Sequence, residues 1–322
     1  MGELSETVGR SRFLADLSPD DRDPWRTVLA IPIGLMTGAV AGLLGGLSAI
    51  LVFMLIVGGL DGAEAATALF EVFSDGALSD LTGRQSLFIL AALAGLNLGA
   101  AVGFVMGASG VHRRGFRRYI NAGQPLRWRL VWGGLVLVGV VMAAIIAGFS
   151  VVSGPALDPV VLKVSPNLVG RSLYAIIAIA LLILASTAEE LVFRGWLLKH
   201  SAVYIRNPFA LMALNGLLFA AIHLDPSLNA FLVRAAMGAG LTWMALRLGG
   251  IELGIGAHAA NNVVIVLLLR PITLQPEAAR AFQAGSVVSA TLMLAGLIGV
   301  AELWTRWSPL RRWTGLSAPA AV

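Results

Sequence analysis

The stretch Ser172–Arg194, SLYAIIAIALLILASTAEELVFR, decides how this chain folds. From Ser172 to Ala188 it carries no charge. It therefore reads as a membrane-crossing helix, since about 20 helical residues span the ~30 Å of hydrocarbon in a bilayer. The same stretch then sets two carboxylates side by side, Glu189 and Glu190, with Arg194 one turn further on. A single charge at the centre of a membrane helix costs about 2.5–3.5 kcal/mol even on the mildest scales. Two adjacent ones persist only if they are paired or used.

The rest of the chain has the same character. Of its 322 residues, 57% are hydrophobic and 13% charged, with a mean hydropathy of +0.83. Those values lie outside the soluble globular range and define an all-α, polytopic transmembrane bundle. About eight spans are expected, at 28–59, 86–110, 130–152, 172–199, 208–224, 229–248, 251–269 and 284–304. The fifth and seventh are short or interrupted by polar residues. The first apolar run is longer than the core of a signal peptide, so it is expected to be retained. The chain has no cysteine, which excludes disulfides, thiolate nucleophiles and Cys-ligated metal.

The net charge of +5 raises the question of a nucleic-acid partner, and the placement of the charge answers it. With the N-terminus inside, eight spans put both termini in the cytoplasm. Most of the 23 Lys and Arg then fall in cytoplasmic segments, above all HRRGFRRYINAGQPLRWR at 112–129. The outer segments hold only Arg84, Lys163, Arg171, Arg270 and Arg280. This is the positive-inside asymmetry, with the basic loops facing anionic lipid, and no nucleic acid is implied. The arginine-rich, Ala/Gly/Val-rich composition suits a bacterial inner (plasma) membrane protein.

The chain divides into a polar N-terminus (1–27), a three-span region (28–153), a chemistry-bearing core (170–270), and a last span with a basic tail (271–322). In the three-span region, glycines recur at helical spacing: Gly34, Gly38, Gly42 and Gly46, then Gly95, Gly99, Gly103 and Gly107. Such stripes let backbones approach closely. Spans one and two packing on each other is the simple reading, and a homodimer contact is the alternative. No catalytic role is expected of this region. Segment 61–84, with Asp61, Glu64, Glu71, Asp75 and Asp80, reads as a solvent-facing outer stretch or a short interfacial helix.

Residues 170–270 hold nearly all the intramembrane polar groups. His223 closes FALMALNGLLFAAIH, and His258 sits in ELGIGAHAANNVV, followed by Asn261 and Asn262. His112 and His200 lie beside basic segments and are expected to be solvated. Asn97 and Asn215 read as interhelical hydrogen bonders. At ~1.5 Å of rise per residue, Glu189, His258 and Asn262 come out at compatible depth, with His223 deeper unless its helix is tilted or starts late. Pro226 is a candidate for the end of that helix. Glu190 and Arg194, at i and i+4, share a face and suit an ion pair. Glu189 points about 100° away from Glu190. Arg234 and Glu252 form a second ion pair or belong to the site.

A carboxylate in a partly dry cavity is poised to take a proton from water. A histidine can orient that water, and a second His with an Asn amide can stabilise an oxyanion. These are the parts of an amide hydrolase. Zinc held by His223, His258 and Glu189 is the competing arrangement, although no HExxH occurs and Asn is a poor zinc ligand. Intramembrane Glu, His and Arg also build proton relays, so a proton-coupled transporter is the alternative class.

The ordered set Glu189-Glu190-x-x-x-Arg194, Phe219-x-x-x-His223, His258-x-x-x-Asn262 resembles the signature of the CPBP family of intramembrane proteases, the CaaX proteases and bacteriocin-processing enzymes also called Abi. The resemblance covers about a third of the chain. It implies an intramembrane endopeptidase in which Glu189 activates water with His223 as partner, and His258 and Asn262 stabilise the oxyanion. Glu190 and Arg194 would be the structural pair, with Phe219 lining the pocket. Both metal-dependent and metal-independent mechanisms have been described for the family. The missing zinc motif favours no cofactor here, zinc being the alternative. The implied partners are lipid and a peptide or membrane-protein substrate.

Overall fold

The computed structural model describes residues 11–57, 83–153, 159–224, 227–269 and 281–316. Among these residues the secondary structure is helical, with no strand. The long helices are α1 (Pro24–Val57), α2 (Gly83–His112) and α3 (Trp128–Ser153). Next comes α4 (Leu168–Glu190), which runs through a π-helical segment, Leu191–Leu197, into α5 (Leu198–Tyr204). Then follow α6 (Pro208–Ala221), α7 (Leu228–Leu248), α8 (Glu252–Val264), α9 (Ala284–Arg306) and the short α10 (Ser308–Thr314).

Among the described residues seven helical stretches are long and apolar enough to cross a membrane. This is a multi-pass membrane protein. The expected fifth span is the exception. It is α6, a 14-residue apolar helix, about 21 Å long at ~1.5 Å per residue. The segment 61–82, with its five acids, and Pro226 lie outside the described residues.

Local sequence sets the helix ends. The Asn207 side chain accepts from the amides of Phe209 and Ala210, and Pro208 occupies the first turn, where its missing N–H costs nothing. Ser227 caps α7 through the Ala230 amide. Gly249, at φ +70°, ends α7 in the left-handed conformation that glycine adopts without strain.

In lipid, helices associate by close packing rather than by hydrophobic exclusion. The α1–α2 pair shows this. A Cβ on Gly103 would come 2.5 Å from the Thr37 carbonyl oxygen and 2.6 Å from the Ala41 Cβ. The Thr37 hydroxyl donates across the gap to the Gly103 carbonyl at 2.8 Å. The glycine stripes therefore serve contact between spans one and two. The opposite face of α1 exposes Leu35, Val40, Leu44, Leu47 and Leu51, as a lipid-facing surface should.

The core forms where α4 meets α2 and α8, with α8 also against α3, and α7 against α6 and α9. Gly134 lets α3 come close to α8, since a Cβ there would lie 2.6 Å from the Leu253 carbonyl oxygen. At the end of the bundle bearing the 113–118 arginines, the polar segment 11–23 lies across the helix ends. Phe13 is fully buried, the Ser11 hydroxyl donates to the Leu246 carbonyl at 2.8 Å, and Asp16 pairs with Lys199 at 2.6 Å. Burial by itself would raise the Asp21 carboxyl, but hydrogen bonds from Ser18 and Arg114 outweigh it and hold the group below the usual carboxylate range.

Candidate active site

The carboxylate pair sits where α4 gives way to the π-helical segment. Such segments often occur at functional sites, because the wider turn redirects side chains locally. Here Phe193, Arg194 and Trp196 turn into the protein.

Glu190 is fully buried, as is Arg194. The Arg194 Nη1 donates to Glu190 Oε1 at 2.9 Å, and Nη2 donates to the Gly238 carbonyl of α7 at 3.0 Å. The guanidinium also lies over the Phe219 ring, 4.6 Å from its centroid. On the other side, His258 Nδ1 donates to the same Glu190 oxygen at 2.9 Å. Glu190 thus joins α4, the π segment, α7 and α8. A buried charge pair with added hydrogen bonds does more to fix one arrangement than to add net stability. Gly254 permits the approach of α8, since a Cβ there would stand 3.2 Å from Glu190 Oε2.

Glu189 faces a different way and is partly exposed to a cavity. Its Oε2 lies 3.9 Å from His223 Nε2 and 3.8 Å from His258 Nε2. His223 Nδ1 donates to the Phe219 carbonyl at 2.7 Å. A carbonyl only accepts, so the proton is on Nδ1 and the Nε2 of the neutral ring is an acceptor. Both histidines are held at Nδ1 by an oxygen and present Nε2 to one carboxylate oxygen. The separations exceed a direct hydrogen bond and suit a bridging atom.

The short α6 resolves the depth of His223. Its helix ends at Ala221, and two residues further on the imidazole lies beside Glu189. Phe219, expected to line the pocket, is instead fully buried behind the histidines. Its ring meets His223 and His258 edge to face at 5.0 and 5.6 Å. Asn262 lies one turn beyond His258, and its amide donates to the Ser186 hydroxyl at 3.3 Å. Ser186, one turn before Glu190 and fully buried, was not singled out by the sequence. Glu252 is bound by Arg127, and Asn121 donates to it at 2.6 Å, which ties the 121–127 loop to α8. Asn215 donates within its own helix, to the Leu211 carbonyl at 3.0 Å, rather than between helices.

The cavity beside Glu189 and His223 has a volume of about 920 Å³. One wall is the π segment with Val192, Phe193 and Trp196. The facing wall comes from the three-span region, with Gly34, Gly38 and Ala39 on α1 and Asn97 and Phe104 on α2. That region, of which no catalytic role is expected, supplies this wall of the cavity. Asn97 is exposed into this space rather than bonded between helices.

Residues 171–264 match the family described as Type II CAAX prenyl endopeptidase Rce1-like, which bears out the resemblance drawn from the three motifs. The chain is also similar to the uncharacterized protein YyaK of Bacillus subtilis (strain 168), with 28% identity over 165 residues, 49% of this chain and 53% of that protein. The chain therefore spans about half the length of the curated relative it matches. No solved structure matches.

Proposed function

We propose that this chain is an intramembrane endopeptidase that cleaves a peptide bond of a membrane-associated peptide or protein, with Glu189 activating the attacking water. The observation that carries the reading is the convergence of His223 Nε2 and His258 Nε2 on Glu189 Oε2 at 3.9 and 3.8 Å. A water held among these atoms gives a proton to Glu189 as its oxygen attacks the carbonyl carbon. The Glu189 carboxylic acid then returns the proton to the leaving nitrogen. His223, fixed through Phe219, orients the water.

His258 is the partner for the developing charge. Its Nδ1–H is held by Glu190, which fixes the ring with Nε2 toward the reacting oxygen, where a proton on Nε2 would donate to the oxyanion. Asn262, on the same helix face, is the second donor, and its 3.3 Å contact with Ser186 is long enough to yield.

No metal is invoked. Were zinc bound, Glu189, His223 and His258 would hold it, and it would supply activation of the water. The Nδ1 partners of the two histidines suit that role in kind. The spacing of the three groups supports it less. Among the described residues, the trio whose ligand atoms lie within 4.8 Å of one another is elsewhere. The charge asymmetry supports an inner (plasma) membrane location in a bacterium, with both termini cytoplasmic.

The test is cleavage of a transmembrane peptide library in detergent by the wild type, Glu189→Ala and His258→Ala. Each variant should be inactive while eluting as a folded monodisperse species. Full activity in either sinks the assignment. A proton-driven flux in proteoliposomes that needs Glu189 would instead favour a transporter.

A further inference from the structure

His112 and His200 were expected to be solvated, and they are not. His112, the last residue of α2, is 2% exposed, and His200, on α5, is 3% exposed. The segment 11–23 folds over them and places Asp21, fully buried, at their side. The two imidazole rings stack at 3.9 Å between centroids, tilted by 32°. Neither nitrogen of His112 has a hydrogen-bond partner, and neither does His200 Nδ1. Three unpartnered ring nitrogens in one dry cluster are costly, at about 1–3 kcal/mol each. Asp21 Oδ1 stands 4.0 Å from His112 Nδ1, too far for a hydrogen bond. One ligand atom from each of the three residues falls within 4.8 Å of the others.

The atoms around this trio are arranged as a second shell. The Tyr119 hydroxyl lies 3.3 Å from His200 Nε2, so it can accept from that nitrogen and leave the Nδ1 lone pair directed inward. Asp21 Oδ2 takes the Ser18 amide at 2.6 Å and its hydroxyl at 2.8 Å, together with Arg114 Nη2. Arg114 Nε reaches Oδ1 only at 3.3 Å. The carboxylate is therefore oriented from one side, with Oδ1 turned toward the histidines. Of the nearby cations, Arg114 is shared between Asp21 and Asp16, Lys199 pairs with Asp16 at 2.6 Å, and Arg26 pairs with Asp20 at 3.3 Å. Metal-bound histidines and carboxylates commonly show such outer partners.

We propose that Asp21, His112 and His200 bind a first-row divalent transition metal, with Zn²⁺ the best fit to a His₂Asp set. Turning the two imidazoles out of their stack lets one nitrogen of each converge with an Asp21 oxygen on a single ion at the ~2.0–2.2 Å bond lengths of zinc. Three protein ligands leave a position for water. The metal would pin the N-terminal segment to α2 and to α5, the continuation of the helix that bears Glu189. The site is separate from the proposed protease centre and stands independently of that reading.

The experiment is metal analysis of the full-length protein in detergent after equilibration with micromolar Zn²⁺, with Co²⁺ substitution followed by its visible absorption. The wild type and His223→Ala should each hold about one metal per chain. His200→Asn and His112→Gln should lose it by at least about tenfold. X-ray absorption of the zinc-loaded wild type should show two imidazole nitrogens at about 2.0–2.1 Å, a readout that needs no folded variant. A wild type that binds no metal overturns the proposal, since the ring nitrogens would then be satisfied by water. So does metal content lost in His223→Ala but kept in His200→Asn, which would place the ion at the protease centre instead.

Discussion

The α1–α2 pair and the α4–α8 core solve the same problem in different ways. Both must hold helices together in lipid. The first does so with absent side chains, since Gly103 meets Thr37 and Ala41 at distances a Cβ would violate. The second does so with buried charge, since Glu190 holds Arg194 and His258 on one oxygen. Steric fit is enough to make a wall, whereas chemistry needs an anchored polar frame. The two regions meet at the cavity beside Glu189, where the wall faces the frame.

Substitutions can break that contrast. Arg194→Met strips Glu190 of its partner in a dry site and should cost about 3–5 kcal/mol, read as a lower melting temperature in detergent. A change of less than half that would mean that Glu190 is not held as a charge. Gly103→Leu should cost about 1–3 kcal/mol by forcing α1 and α2 apart, with cleavage reduced only as far as the cavity wall shifts. Asn97→Leu should leave melting within about 0.5 kcal/mol, as for an exposed position. If its amide holds the substrate backbone, it should lower kcat/KM about tenfold, the worth of one lost hydrogen bond. Rescue by Asn97→Gln would mark a polar contact rather than shape.

Much of the frame was legible in the sequence because it rests on local periodicity. Helical phase separates Glu189 from Glu190 and puts Arg194 beside the latter, and the structure has that arrangement. The three motifs come together because each lies on a short helical face. What the sequence did not reveal are contacts over long separations. Nothing in the pattern of HRRGFRR indicates that residues 11–23 cover His112 and His200, so a basic neighbourhood reads as a solvated one. Glu252 finds Arg127, far away in sequence. The π-helical turn after Glu190 has no compositional signal. The contribution of α1 and α2 to the cavity is hidden because glycine and alanine look inert until a neighbour is placed against them.

The adjacent glutamates have separate jobs. The direct test is to measure cleavage and thermal melting on the same preparations of wild type, Glu189→Gln and Glu190→Gln. Glu189→Gln should lose at least about 10²–10⁴-fold in turnover, the worth of a general base, with its melting temperature unchanged. Glu190→Gln should lower the melting temperature, because Arg194 and His258 lose their shared acceptor. Turnover retained in Glu189→Gln, or the same loss of stability in both variants, would contradict the account.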